Sequence, residues 1–97
     1  MAVFAVLYTY DDRESERLAT RPAHRDFLFE LADKGVVLAG GAYGPGEQPG
    51  ALLILQADDA ETVAKTLDED PYCTGGFISG REIRHWTQVI GPWAPKA

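Results

Sequence analysis

"VVLAGGAYGPGEQPGALLILQA", residues 36–57, carries two apolar runs around a turn-forming cluster. "VVLAGGAY" (36–43) reads as a strand with a glycine-softened end, and "ALLILQA" (51–57) as a second strand. "GPGEQPG" between them is a turn cluster, so the stretch predicts a long-looped hairpin. What flanks this central hairpin decides the fold. Before it, in "RPAHRDFLFEL" (21–31) and Ala32, the apolar residues Phe27, Leu28, Leu31 and Ala32 recur at helical spacing. Pro22 suits the first turn of that helix, and Arg21, lying before a proline, is biased out of it. Gly35 is placed to stop it. After the hairpin, "DDAETVAKTLDED" (58–70) has one apolar stripe, Ala60, Val63, Ala64 and Leu67. Its carboxylates crowd the N-terminus, where Asp58 with Glu61 resembles a capping box, and Pro71 ends it.

The outer segments complete the pattern. "AVFAVLYTY" (2–10) is rich in β-branched and aromatic residues and reads as a strand, and "EIRHWTQVI" (82–90) as the last strand. "DDRESERLA" is polar and reads as a surface loop with at most a helical turn; "GPWAPKA" is a short proline-rich tail. The order strand, helix, strand, strand, helix, strand is the ferredoxin-like βαββαβ arrangement. It is an α+β class with a four-stranded antiparallel sheet and two helices on one face. "ALLIL" is apolar at every position and "AVFAVL" nearly so, whereas a sheet with one wet face alternates. Both faces therefore need cover and the helices supply one layer, which predicts a homodimer packed through the sheet face.

The 97 residues make one domain by length, residues 1–97. A net charge of -6 with no basic stripe argues against a nucleic-acid surface. No apolar run approaches the length that spans a bilayer, and the start lacks the marks of a signal peptide, so the expected location is the cytoplasm. The single cysteine, Cys73, excludes an internal disulfide. Two histidines far apart and no CxxC call for no metal and no cofactor.

His24 stands three, four and seven residues before Phe27, Leu28 and Leu31, on the same face, so it points toward the core near the helix start. In this topology the start of the first helix and the end of the second lie at the same end of the sheet. Asp70 therefore comes to His24 across 46 residues of sequence, beside the exit of the first strand (Tyr8, Thr9, Tyr10) and the hairpin tip at Tyr43. A carboxylate on one imidazole nitrogen fixes the tautomer and leaves the other nitrogen to take or return a proton. No serine is placed as a nucleophile, which favours acid-base chemistry over acyl transfer. Arg21, one turn before His24, can hold an anionic oxygen. The structural readings stand beside these: a satisfied core histidine, an Asp-Pro helix exit, a surface arginine, tyrosines that only pack. His85 reads as an interface or core-edge residue and Cys73 as a small buried apolar side chain.

"RPAH", "GGAYG", "DPY" and "EIRHWTQVIG", with the opening strand, resemble the YCII-related family of small proteins over nearly the whole chain. The resemblance implies a dimeric ferredoxin-like α+β barrel with a His-Asp site, here His24 and Asp70. Fold relatives include muconolactone isomerases, and similar proteins are linked to breakdown of chlorinated, polyhydroxylated aromatics by proton abstraction and halide loss. The expectation is a lyase, isomerase or dehydrohalogenase-like enzyme acting on a small cyclic or aromatic molecule. Arg21, Tyr8 and Tyr72 would line its pocket. The rival is a non-catalytic small-molecule-binding module. The compact "GPGEQPG" loop and Cys73 are this chain's departures from the family pattern.

Overall fold

The computed structural model describes residues 1–94; the last three residues of the proline-rich tail lie outside the described residues. In chain order the elements are β1 (Ala2–Tyr10), α1 (Glu14–Asp33), β2 (Val37–Ala42), β3 (Gly50–Ala57), α2 (Ala60–Leu67), α3 (Pro71–Thr74) and β4 (Ile78–His85). The four strands form one antiparallel sheet in the order β2-β3-β1-β4. This is the ferredoxin-like order expected from the central hairpin.

The core lies on the helix-facing side of the sheet. Phe4, Val6 and Tyr8 alternate inward along β1 and meet Ala51, Leu53, Leu55 and Ala57 of β3. Val63 and Leu67 cover them from α2, as the stripe predicted. Phe27, Leu28 and Leu31 of α1 pack on the same cluster but remain half-buried. The opposite face is apolar as well: Leu7 pairs with Leu52 and Ala5 with Ile54. Leu52 stays 41% exposed there, whereas Gln88 and Trp93 lie beside Ile54 and Leu38.

Four local expectations are corrected. The helix before the hairpin begins at Glu14, so "DDRESERLA" is mostly helix and His24 sits mid-helix rather than in the first turn. Residues 14–20 contain no breaker, and Glu14 and Glu16 suit the positive end of the helix dipole. Pro22 and Arg21 are therefore inside the helix; the proline removes only the hydrogen bond to the carbonyl of Leu18, a half-exposed residue open to water. Asp59, not Asp58, caps α2, accepting from the Thr62 backbone N–H at 2.8 Å. Pro71 does not simply end that helix but opens the short α3. The last strand ends at His85, because its partner β1 begins at Ala2 and the ladder runs out; the Trp86 N–H makes its final bond, to the Val3 carbonyl. Gly35 does stop α1: its φ of 79° reverses the chain, and the Val36 N–H returns to the Leu31 carbonyl at 2.9 Å.

Candidate active site

The first two turns of α1 are pinned across residues 11–17 and 75–77. The Arg13 guanidinium lies 4.5 Å over the Phe77 ring and donates to the Gly76 carbonyl at 2.7 Å. Arg17 is buried, lies 4.4 Å over the Tyr10 ring, and donates to the Asp11 carbonyl at 3.2 Å. These clasps tie the start of α1 to the end of β1 and to the segment that follows α3. Neither arginine stands out in the sequence while residues 11–19 are taken as loop. Their signal is the same-face spacing of Arg13 and Arg17, which becomes legible once residues 14–20 are recognised as helix.

Asp70 is fully buried at the N-cap of α3. Its Oδ1 accepts from the Tyr72 backbone N–H at 2.9 Å and lies 2.7 Å from His24 Nδ1. Its Oδ2 accepts from the Tyr8 hydroxyl at 3.0 Å. With two donors already on the carboxylate, the consistent arrangement has His24 donating Nδ1–H as the third. Nε2 then carries the lone pair. Among the described residues no buried polar side-chain atom lacks a partner, and Nε2 makes no hydrogen bond there, so Nε2 reaches accessible space. That space is a cavity of about 360 Å³ between α1 and β2. His24, Tyr10 and Tyr72 line one side, and residues 38–42 the other.

The Tyr72 ring stacks on the imidazole, centroids 3.7 Å apart and planes 3° apart. Tyr10 meets Tyr72 edge-on at 5.5 Å. Burial, then the nearby Tyr72, pushes the Tyr10 phenol up to about 12. Burial and the adjacent Asp70 charge push the Tyr8 phenol far above its ordinary value, so Tyr8 stays a neutral donor. Its oxygen lies 3.5 Å from Cys73 Sγ, whose thiol burial also pushes up; Cys73 is a neutral, half-buried thiol, in keeping with a packing role.

The predicted site residues thus fall into two groups. His24, Asp70, Tyr8 and Tyr72 are in one bonded cluster, and Tyr8 serves Asp70 rather than facing the cavity. Arg21 lines the cavity from α1, one turn from His24. His85 ends β4, exposed, with its ring 5.4 Å from Phe4, at the edge of the core. Among the described residues no three His, Cys, Asp or Glu side chains converge as a metal site would require, and no helix is long and apolar enough to cross a membrane.

The sequence profile of the YCII-related domain matches residues 1–87. No curated protein matches the chain by sequence. A similar solved structure is the 5-chloro-2-hydroxyhydroquinone dehydrochlorinase of Burkholderia phenoliruptrix, in complex with 2,5-dihydroxybenzoquinone. Its TM-score is 0.76 at 21% identity, over 90% of this chain and 95% of that one. A structural-genomics protein of Agrobacterium tumefaciens superposes with a TM-score of 0.55 at 12% identity, over 98% of both chains. At such identities the likeness is one of fold.

Proposed function

This chain belongs to the YCII-related family, and on that premise we propose that it is a small, cofactor-independent enzyme. In this reading His24 is the general acid-base of a lyase, isomerase or dehydrohalogenase acting on a small cyclic or aromatic metabolite. The observation that carries it is the buried His24–Asp70 pair at 2.7 Å with Nε2 turned to a cavity of about 360 Å³. A cavity of that size takes one ring with substituents. A carboxylate on Nδ1 fixes the tautomer whose Nε2 can accept a proton.

Nε2 takes a proton from an acidic O–H or C–H of the bound ring. In an isomerase the proton is returned to another carbon. In a dehydrohalogenase the electron pair freed at the ring expels halide, so one proton and one halide ion are lost and no electrons are exchanged with a cofactor. The fold likeness to a dehydrochlorinase holding a dihydroxybenzoquinone makes polyhydroxylated halo-aromatics the first substrates to try.

The same reading includes a homodimer through the outer sheet face. The support is the apolar row Ala5, Leu7, Leu52 and Ile54 on the side away from the helices, with Leu52 still 41% exposed. Sedimentation at micromolar concentration tests it; a monomer would refute it.

The test of activity is release of chloride, or exchange of ring protons in deuterated water, from chlorinated hydroxyhydroquinones. Wild type is expected to turn over and His24→Ala to lose at least about a hundredfold. Full turnover by His24→Ala removes histidine from the chemistry. Tight binding of 2,5-dihydroxybenzoquinone without exchange or halide release identifies a binding module instead.

A further inference from the structure

No basic stripe is apparent while residues 14–20 are taken as loop; with α1 beginning at Glu14, Arg17, Arg21 and Arg25 stand at successive four-residue steps and share one helix face beside His24. The chain is acidic overall, with 15 Asp and Glu against 9 Lys and Arg, and most of its arginines have partners. Arg13 pairs with Asp11 and Glu16, Arg81 with Asp68, and Arg84 with Glu82. Arg17 is spent on the Tyr10 ring and the Asp11 carbonyl. Arg21 and Arg25 are different. Both line the cavity, both are exposed, and among the described residues neither makes an ion pair or a side-chain hydrogen bond. Their field reaches the cavity wall: burial pushes the Tyr72 phenol up, and Arg17, Arg21 and Arg25 all pull it back.

Two unpaired guanidiniums at the rim of a largely apolar cavity are a binding element for a negative group, since Arg presents paired N–H donors to a carboxylate. We propose that the site takes a small organic anion whose negative group is held between Arg21 and Arg25, with its ring under His24 and against the Gly40 wall. The proposal rests on the reading above for the reacting face of the ring, and it adds the charge of the substrate. The charge follows from this chain's own residues. It comes from two cations that acidic residues leave open.

The probes are 2,5-dihydroxybenzoate and its neutral isostere 2,5-dihydroxybenzamide, measured by calorimetry on the intact chain at low and high salt. Wild type is expected to bind the carboxylate about tenfold more tightly than the amide, a gap that narrows as salt screens the exposed pair. Arg21→Gln with Arg25→Gln should bring the two ligands to parity while amide affinity stays within about twofold. Arg21→Lys with Arg25→Lys should keep part of the gap, because charge remains without the planar fork. Both side chains are exposed, so these variants fold, and unchanged circular dichroism checks it. Equal binding of the two probes, a gap that survives the double glutamine variant, or no carboxylate binding at millimolar concentration overturns the proposal. Failure of the function is read separately. A charge gap with fully active His24→Ala refutes the acid-base role alone, and inactive His24→Ala with no charge gap refutes the anion subsite alone.

Discussion

Tyr72 controls both members of the His24–Asp70 pair. Its backbone N–H donates to Asp70 Oδ1 at 2.9 Å, while its ring lies parallel to the His24 imidazole at 3.7 Å. The imidazole is thus held at its edge by the carboxylate and on one face by the phenol ring. Because both holds come from residues 70–72, at the start of α3, a shift of that short helix would move them together.

Tyr72→Phe should therefore change little, because the ring and the backbone N–H remain. Turnover is expected within about threefold of wild type, with stability lowered by no more than about 1 kcal/mol. Tyr72→Ala removes a 2% exposed aromatic ring and leaves His24 free on one face. A cost of about 3–5 kcal/mol and a loss of at least about tenfold in turnover are expected. Urea unfolding and steady-state rates on the two variants check this. Equal rates for the Ala and Phe variants would mean that the stack positions nothing.

Asp70→Asn keeps the shape and changes the hydrogen-bond inventory. The carboxylate faces Tyr8 O–H, Tyr72 N–H and His24 Nδ1. An amide must keep its oxygen at the Oδ1 position, where the Tyr72 N–H and His24 Nδ1–H both need an acceptor, and so turns its NH2 group toward Tyr8, whose hydroxyl oxygen can accept while its proton turns to Cys73 Sγ at 3.5 Å. The tautomer with a free Nε2 is therefore kept, and what is lost is the negative charge that stabilises the imidazolium once Nε2 has taken a proton. Turnover should fall by roughly 10²–10⁴, with about 1–3 kcal/mol lost in stability. Nitrogen-resolved NMR of the histidine ring reads the tautomer directly. Loss of the Nδ1–H signal in the variant, or wild-type turnover with that signal kept, would refute the account.

The part of this site legible in the sequence was the part set by topology. A βαββαβ chain returns the first helix's start and the second helix's end to one side, which points to the His24–Asp70 pair; the pair is found, but at the middle of α1 and at the N-cap of α3. The helix start itself is not legible, because Pro22 is a strong local signal for a first turn. Nothing local reveals that Arg13 and Arg17 are clasped on Phe77 and Tyr10, contacts that tie the start of α1 to the segment after α3 and to the end of β1. Asp-Pro-Tyr read as a helix exit for the same reason: a cap on a four-residue helix looks like a stop. The role of Tyr8 was hidden because an inward tyrosine on a strand looks the same whether it packs or donates to a carboxylate 62 residues away. The continuous apolar run of β3 is legible as a strand, and residues 50–57 form one.

Alkaline pH tests the buried phenols. Tyr8 is pushed up by burial first, then by the Asp70 charge; Tyr10 is pushed up to about 12, also by burial first. Both folded-state values lie above the unfolded value near 10. Their contributions are therefore complete below about pH 10 and are lost as pH rises above it, through about 12 for Tyr10 and beyond that for Tyr8. Each such phenol should steepen the fall in stability by about 1.4 kcal/mol per pH unit in that window. Unfolding by urea between pH 8 and 11.5 gives the slope. Tyr8→Phe should start lower at pH 8 by about 1–3 kcal/mol, since Asp70 Oδ2 loses its donor, yet fall less steeply above pH 10. Parallel curves for wild type and variant would place Tyr8 outside the alkaline transition.

Adjacent glycines of β2 should separate the cavity from the fold. Gly40 pairs with Leu53 and faces inward; a Cβ there would lie 2.9 Å from Leu53 Cδ2, the end of a side chain that can swing. Gly41 pairs with the outward-facing Leu52, and a Cβ there meets nothing within 4 Å. Gly41 meets the cavity through its backbone alone, so Gly41→Ala, with its methyl on the outer face, is expected to leave ligand affinity unchanged and stability equal or slightly raised, as a strand glycine gives up chain entropy. Gly40→Val pushes Leu53 aside and adds three carbons to the wall of a cavity of about 360 Å³. Ligand affinity should fall at least about tenfold, against a stability loss of about 1–3 kcal/mol from the displaced leucine. Calorimetry with 2,5-dihydroxybenzoquinone and urea unfolding on both variants measure the two effects apart. If Gly40→Val binds as wild type does, the ligand does not lie between α1 and β2, and both the reacting position under His24 and the anion subsite at Arg21 and Arg25 lose their common ground.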